Sequence, residues 1–191
     1  MNHHFFAYVS RMRYIPRWAL MRNSFSENVQ EHSHMVAVLA HALATIRNEI
    51  FGGCVDAGQA AVYALYHDAT EIITGDMPTP IKYYNPEIKS SYRKVERVAA
   101  DKLLSMLPEK LKEAYRPILY SDNAELHRLV KAADKLSAHI KCQEELKAGN
   151  LEFKRAAEQT RAALDAMHMP ELDWFMEHCL DSFTRTLDEL E

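Results

Sequence analysis

Apolar residues recur three and four positions apart through almost all of this 191-residue chain, and nowhere do they alternate over the length of a strand. That period lines one face of an α-helix with side chains that must be buried. Only 5 glycines interrupt it, while Ala, Leu, Glu and Lys abound, so the chain is predicted to be helical almost throughout and all-α in class. A length of 191 residues suits one domain spanning 1–191, large enough to bury roughly two-thirds of its unfolded surface. No internal repeat, low-complexity tract or interdomain linker divides it.

A short helix is expected over residues 4–13, with Phe5, Phe6, Val9 and Met12 inward. Ser24 and Glu27 stand at capping-box spacing and are expected to open a second helix, which runs to about Phe51 before Gly52-Gly53. A central helix over 57–74 is stopped by Gly75 and followed by a loop stiffened by Pro78 and Pro80. Further helices are expected over 86–107, 109–119, 123–147, 151–168 and 171–190. Trp174 and Phe175 share helical spacing with Leu180 and Phe183 and read as core.

Polar residues intrude on three of these apolar faces. Asp68 lies in register with Ala61, Leu65 and Ile72, and burying a lone carboxylate is very costly unless a cation answers it. His67 points about 100° away around the helix, close enough to grip the same ion. Glu71 follows His67 by four residues and Asp68 by three, so it overhangs the same spot. His32 falls in a stripe with Val29, Val36, Leu39 and Leu43, whereas His34 and His41 share another face. Asp134 falls among Leu126, Leu129, Val130, Ala133, Ser137 and Ile140, and its flanking Lys131 and Lys135 point away from that stripe. A core histidine or a salt-bridged aspartate explains each residue taken alone. Together His32, His67, Asp68 and Asp134 form a set of metal-ligand type.

Charge and cysteine usage narrow the partners. A formal net charge of −4 argues against binding a nucleic acid polymer, which demands a basic face, but leaves room for a small phosphorylated substrate. The 3 cysteines, Cys54, Cys142 and Cys179, are far apart and suit a reducing compartment rather than a disulfide framework or a zinc finger. The longest apolar run, Met35 to Ile46, is too short to span a bilayer, and the first residues lack a signal-peptide pattern. A cytoplasmic protein without membrane contact is the expectation.

A lone His, then His-Asp, then a distant Asp, all on helices, resembles the HD-domain superfamily of metal-dependent phosphohydrolases. The segments Arg17-Trp18-Ala19-Leu20-Met21-Arg22-Asn23, Glu27-Asn28-Val29-Gln30-Glu31-His32-Ser33, His67-Asp68-Ala69-Thr70-Glu71 and Thr74-Gly75-Asp76-Met77-Pro78-Thr79-Pro80 are similar to the bacterial 5′-deoxynucleotidases of the YfbR type. The resemblance covers nearly the whole chain. It implies an HD-domain helical bundle that removes the 5′-phosphate from deoxyribonucleoside 5′-monophosphates. It also implies one divalent transition metal ion per chain, cobalt or manganese, and a homodimer. His32, His67, Asp68 and Asp134 match the metal ligands, with Asp68 and Asp134 also facing substrate. Glu71 matches the catalytic carboxylate and Arg17 the phosphate-orienting arginine, while Trp18 with Asp76, Met77, Pro78 and Thr79 matches the substrate wall.

The chemistry of these residue types agrees. A nitrogen-oxygen donor set suits Mn, Fe, Co, Ni or Zn, and affinity order alone does not choose among them. Glu71 suits a general base, and Arg17 a fork onto two phosphate oxygens. Asp76 can protonate the leaving 5′-oxygen or hold the sugar. Two other readings stay open: an HD-type hydrolase of a triphosphate or phosphodiester, and a non-catalytic nucleotide- or metal-binding module. The first would need more cations than Arg17, and the second gives Glu71 no purpose.

Overall fold

Ten α-helices carry the described chain: α1 (Phe5–Val9), α2 (Val29–Phe51), α3 (Ala57–Tyr66), α4 (Glu71–Thr74), α5 (Thr79–Lys82), α6 (Pro86–Ser105), α7 (Glu109–Tyr120), α8 (Ala124–Lys147), α9 (Lys154–Asp165) and α10 (Pro170–His178). The computed structural model describes residues 3–82, 84–120 and 123–191, and for Thr79 and Pro80 the backbone alone. Among the described residues there is no strand, only one isolated antiparallel bridge between Pro16 and Asn28. The expected all-α class is therefore observed.

The two long helices, α2 and α8, pack on one another at the centre; α3 and α10 lie against α2, and α9 lies against α8. Small residues make the close approach possible: Ala40 and Ala44 of α2, Ala60 and Ala64 of α3, and Ala132 and Ala133 of α8 are fully buried. Leu39 and Leu43 of α2 interlock with Leu129 and Leu136 of α8 in the main core. Each such leucine contributes about 2 kcal/mol of apolar burial. A second core joins Phe5 and Met12 to Val29, Ala69, Leu103 and Leu107, and so pins the N-terminal segment beside the start of α2. A third, around Cys142, Phe153 and Ala157, receives Trp18 and Met21.

Three boundaries differ from the sequence reading. The second helix begins at Val29, and its capping box is Asn28 with Glu31 rather than Ser24 with Glu27. Both of the latter are engaged elsewhere: the Ser24 N–H donates to Glu145, and the Glu27 side chain accepts from Arg17 and Trp18. The central segment 57–74 is not one helix, because α3 ends at Tyr66 and tight turns carry the chain to α4. There the Ala69 N–H bonds to the Tyr66 carbonyl and the Glu71 N–H to the Asp68 carbonyl, three-residue steps that replace the α-helical ladder. The segment 171–190 also fails to run as one helix. It breaks after His178 into single 3-10 turns at Leu180–Thr184 and Leu187–Glu189, where no residue is buried to hold a longer helix.

Candidate active site and metal centre

The Pro16–Asn28 bridge closes the loop that brings the basic-aromatic segment to the mouth of α2. The Arg17 N–H donates to the Glu27 carbonyl at 2.9 Å and the Val29 N–H to the Ile15 carbonyl at 3.0 Å. Trp18 follows with φ 57°, in the left-handed region that a bulky side chain seldom enters. Such a conformation costs about 1–2 kcal/mol and persists only where surrounding contacts impose it.

One turn into α2, His32 is fully buried and faces α8. Its Nε2 lies 3.1 Å from Asp134 Oδ1 and 3.7 Å from Asp68 Oδ2, while Nδ1 contacts the Ser137 hydroxyl at 3.2 Å. The break after α3 presents the other two groups. His67 Nδ1 lies 2.7 Å from the Ala64 carbonyl. A carbonyl can only accept, so Nδ1 carries a proton, and Nε2 is the nitrogen that offers a lone pair when the ring is neutral. Nε2 lies 3.0 Å from Asp68 Oδ2, yet it is buried with no hydrogen-bond partner. Donor atoms of His32, His67 and Asp68 all fall within 4.8 Å of one another. A buried imidazole Nε2 beside a second imidazole and a carboxylate fits a divalent cation of borderline softness, which would take the place of the Nε2 proton. Asp134 approaches the same His32 nitrogen, Nε2, that faces Asp68, although it is not among the donors that meet within 4.8 Å.

The electrostatics are those of an acidic pocket wanting positive charge. Burial disfavours the Asp68 carboxylate, but His67, His32 and Arg17 outweigh it and hold its carboxyl far below the usual range. Asp134, also opposed by burial, is held down at about 2, chiefly by its hydrogen bond to His32. For His67, burial is overcome by Asp68 and Asp134, which push the imidazole up to about 9. Glu71 is buried with Oε2 unpartnered, and burial followed by the Asp68 and Asp76 charges pushes its carboxyl up to about 9. Burial raises Asp76 too, partly offset by Arg17.

Arg17 reaches this cluster directly, with one terminal nitrogen 3.5 Å from Asp68 Oδ2. Trp18 packs at 5.3 Å on Phe153. Asp76 follows Gly75, whose φ of 73° turns the chain out of α4. Met77 and Pro78 are half-buried beyond it, and the Thr79 side chain lies outside the described residues. Thus His32, His67, Asp68, Asp134 and Arg17 come together, with Glu71 and Asp76 felt electrostatically beside them.

Three residues had no part in the sequence reading of the site. Ser137 orients His32 and was visible only as a hydroxyl inside the α8 apolar stripe, one turn beyond Asp134. Lys82 pairs with Glu96 at 3.0 Å, and its charge draws down both Glu71 and Asp76. Glu27 holds Arg17 and Trp18; no periodicity links residues across an irregular loop, so spacing carried no signal for it.

A family model described as 5′-deoxynucleotidase YfbR-like matches residues 4–183. A 5′-deoxynucleotidase of Vibrio vulnificus is 50% identical over 189 residues, covering 98% of this chain and 97% of its own length. The 5′-deoxynucleotidase YfbR of Escherichia coli is 50% identical over 191 aligned residues, covering 98% of this chain and 95% of its own. Among solved structures, an HD-domain phosphohydrolase of Listeria innocua superposes with a TM-score of 0.82 at 22% identity, over 94% of this chain and 88% of that one. An HD phosphohydrolase of cyanophage S-2L, bound to dA and one catalytic Zn2+ ion, superposes with a TM-score of 0.64 at 24% identity, over 92% and 96%. At those identities the two structures establish a shared fold.

Proposed function

The chain belongs to the YfbR-like 5′-deoxynucleotidase family, and from that membership and its site we infer a metal-dependent 5′-deoxynucleotidase that hydrolyses deoxyribonucleoside 5′-monophosphates to deoxyribonucleosides and phosphate. The observation that carries the reading is the convergence of His32, His67 and Asp68 donor atoms within 4.8 Å beside the buried Glu71. A structural metal site has no need of an unpartnered carboxylate next to it.

His32, His67, Asp68 and Asp134 would hold the ion, cobalt or manganese on the family likeness, one per chain. When bound, such an ion supplies Lewis acidity toward the phosphate and lowers the pKa of water. Glu71, ionised where a bound cation would offset the Asp68 and Asp76 charges that raise it, takes the proton of the attacking water as the water oxygen bonds to phosphorus and the bond from phosphorus to the 5′-oxygen breaks. Arg17, whose guanidinium stays charged, binds the phosphate oxygens and offsets the charge they gain. Asp76, which burial favours in its protonated form, returns a proton to the leaving 5′-oxygen or binds the sugar. Trp18 with Met77, Pro78 and Thr79 walls the deoxyribose.

Phosphate release from a panel of mono-, di- and triphosphates, deoxy and ribo, with and without each metal, tests the reading. Deoxyribonucleoside monophosphates should dominate, and only with metal; a preference for triphosphates would overturn it. On the same family grounds the protein is assigned as a cytoplasmic homodimer, which light scattering and cell fractionation check. No helix among the described residues is long and apolar enough to cross a membrane.

A further inference from the structure

Glu27 binds both members of the Arg17-Trp18 pair at once. Its Oε2 accepts from the Arg17 Nε–H at 3.2 Å and from the Trp18 indole N–H at 2.9 Å. Its backbone carbonyl accepts the Arg17 N–H at 2.9 Å. Both side chains of the Arg17–Glu27 pair are largely buried, at 12% and 14% exposure, so solvent screens the contact little. A carboxylate present only to neutralise Arg17 has no reason to reach the indole. One present only to satisfy the indole has no reason to carry a charge.

We infer that Glu27 is a positioning residue that fixes the phosphate-binding arginine and the sugar-facing tryptophan relative to one another. The inference rests on the roles given above to Arg17 and Trp18. A guanidinium offers five N–H groups in a rigid fork. Glu27 takes the one on Nε and Asp68 lies 3.5 Å from a terminal nitrogen, so the plane is held from two sides while other terminal N–H groups remain for phosphate. The indole is fixed at its N–H by Glu27 and on its ring by Phe153. Between these two anchors the backbone of Trp18 stays at φ 57°. The distance from bound phosphate to the sugar wall is thereby set by one carboxylate oxygen.

The test compares kcat/KM for a deoxy- and a ribonucleoside 5′-monophosphate of the same base in E27A, E27Q, E27D, W18A and the double variant R17A/W18A, with bound metal measured throughout. In E27A, metal should stay bound, kcat/KM on the deoxynucleotide should fall about 10²-fold, and the deoxy-to-ribo ratio should shrink toward that of W18A. E27Q should keep the ratio within about 2-fold, because its amide oxygen still accepts from both donors. Added to R17A/W18A, E27A should lower kcat/KM by less than about 3-fold more, since residues acting through one another are not additive. The Trp18 indole N–H resonance in a ¹⁵N spectrum, identified by its loss in W18F, should move in E27A and hold in E27Q. A metal-loaded, folded E27A with the parental ratio overturns the inference, as does a full E27A effect persisting in R17A/W18A. Should E27A fail to fold, E27D decides: its shorter side chain cannot reach both donors, and an unchanged ratio there overturns the inference. An unchanged ratio in W18A overturns the reading of Trp18 and this inference with it. A changed ratio in W18A beside an unchanged one in E27A overturns this inference alone.

Discussion

His32 Nε2 and Asp134 Oδ1, 102 residues apart in sequence, lie 3.1 Å from one another across the packed faces of α2 and α8. The pair exists only because small residues let those two helices approach, so the site and the main core are one construction. Asp134→Ala and Asp68→Ala each remove a proposed ligand and should weaken metal binding more than about 100-fold. Ser137→Ala, which removes only the contact that orients His32 through Nδ1, should weaken it about 10–100-fold. Calorimetric titration of metal into each variant gives the order; Ser137→Ala as damaging as Asp134→Ala would refute it.

Glu71→Gln should keep the metal and lose turnover by about 10²–10⁴-fold, the usual worth of a positioned base. It also carries a signature in the metal-free protein. Burial, then Asp68 and Asp76, raise the folded Glu71 carboxyl to about 9, above its unfolded value. Between those values the folded state binds the extra proton, so this group lowers stability as pH rises from the ordinary carboxylate range to about 9. Metal-free Glu71→Gln should therefore be more stable than the parent at pH 8 by about 1–3 kcal/mol, with the gap closing toward pH 4. Urea melts across pH measure it, and a gap that widens toward acid would contradict the assignment.

Trp18→Ala and Arg17→Ala should separate sugar recognition from phosphate recognition. An apolar wall alone rejects an added hydroxyl by only about 10²-fold, and it does so by denying that hydroxyl a partner and room. Trp18→Ala should raise activity on ribonucleotides relative to deoxyribonucleotides even if both rates fall. Arg17→Ala should lower both about equally, since the phosphate is common to them. An unchanged ratio in Trp18→Ala would move sugar discrimination to the loop at Asp76.

The helical class and the buried α2 face that carries His32 were legible because both depend on a local period. The face expected through Asp68 was not, since Leu65 is exposed and α3 buries Ala60, Tyr63 and Ala64 instead. Leu39, Leu43, Leu129 and Leu136 fall where the stripes put them, and His32 is buried among them, while Asp134 stands at the edge of its stripe with its side chain 40% exposed. What periodicity could not show was the break after Tyr66. An ideal helix through His67 and Asp68 would splay the two side chains around its axis, whereas the three-residue turns bring His67 Nε2 to 3.0 Å from Asp68 Oδ2. The start of α2 was misread for a related reason. Ser24 and Asn28 are both good caps, and the choice fell to tertiary partners, Glu145 claiming the Ser24 N–H. Glu27 escaped because its role depends on a loop closing on itself.

The buried pair Lys141–Glu145 should prove the main fastener of that loop. Lys141 is 3% exposed and Glu145 fully buried, with Nζ 2.5 Å from Oε1. Glu145 also accepts from the Ser24 N–H at 2.9 Å and from the Asn150 side chain at 2.8 Å, while Lys141 donates to the Phe25 carbonyl at 2.6 Å and lies over the Phe25 ring. Two oppositely charged groups on one turn of α8 thus grip the descending arm of the loop that bears Arg17 and Trp18. Removing one partner leaves the other charged and buried, so Lys141→Met should cost about 3–5 kcal/mol of stability. Glu145→Gln should cost a comparable amount, because it leaves the buried Lys141 ammonium without a counter-charge and turns an amide NH2 toward donors that both Glu145 oxygens now accept. Although burial opposes it, Glu145 is held at about 2 by hydrogen bonds from Lys141, Asn150 and Ser24, so its contribution is full above the ordinary carboxylate range and is lost as pH falls toward 2. Glu145→Gln should accordingly flatten the acid limb of the stability curve. Chemical denaturation between pH 2 and pH 7 checks both points, and a Lys141→Met variant within about 1 kcal/mol of the parent would show that the loop is held by its apolar contacts with Phe153 instead.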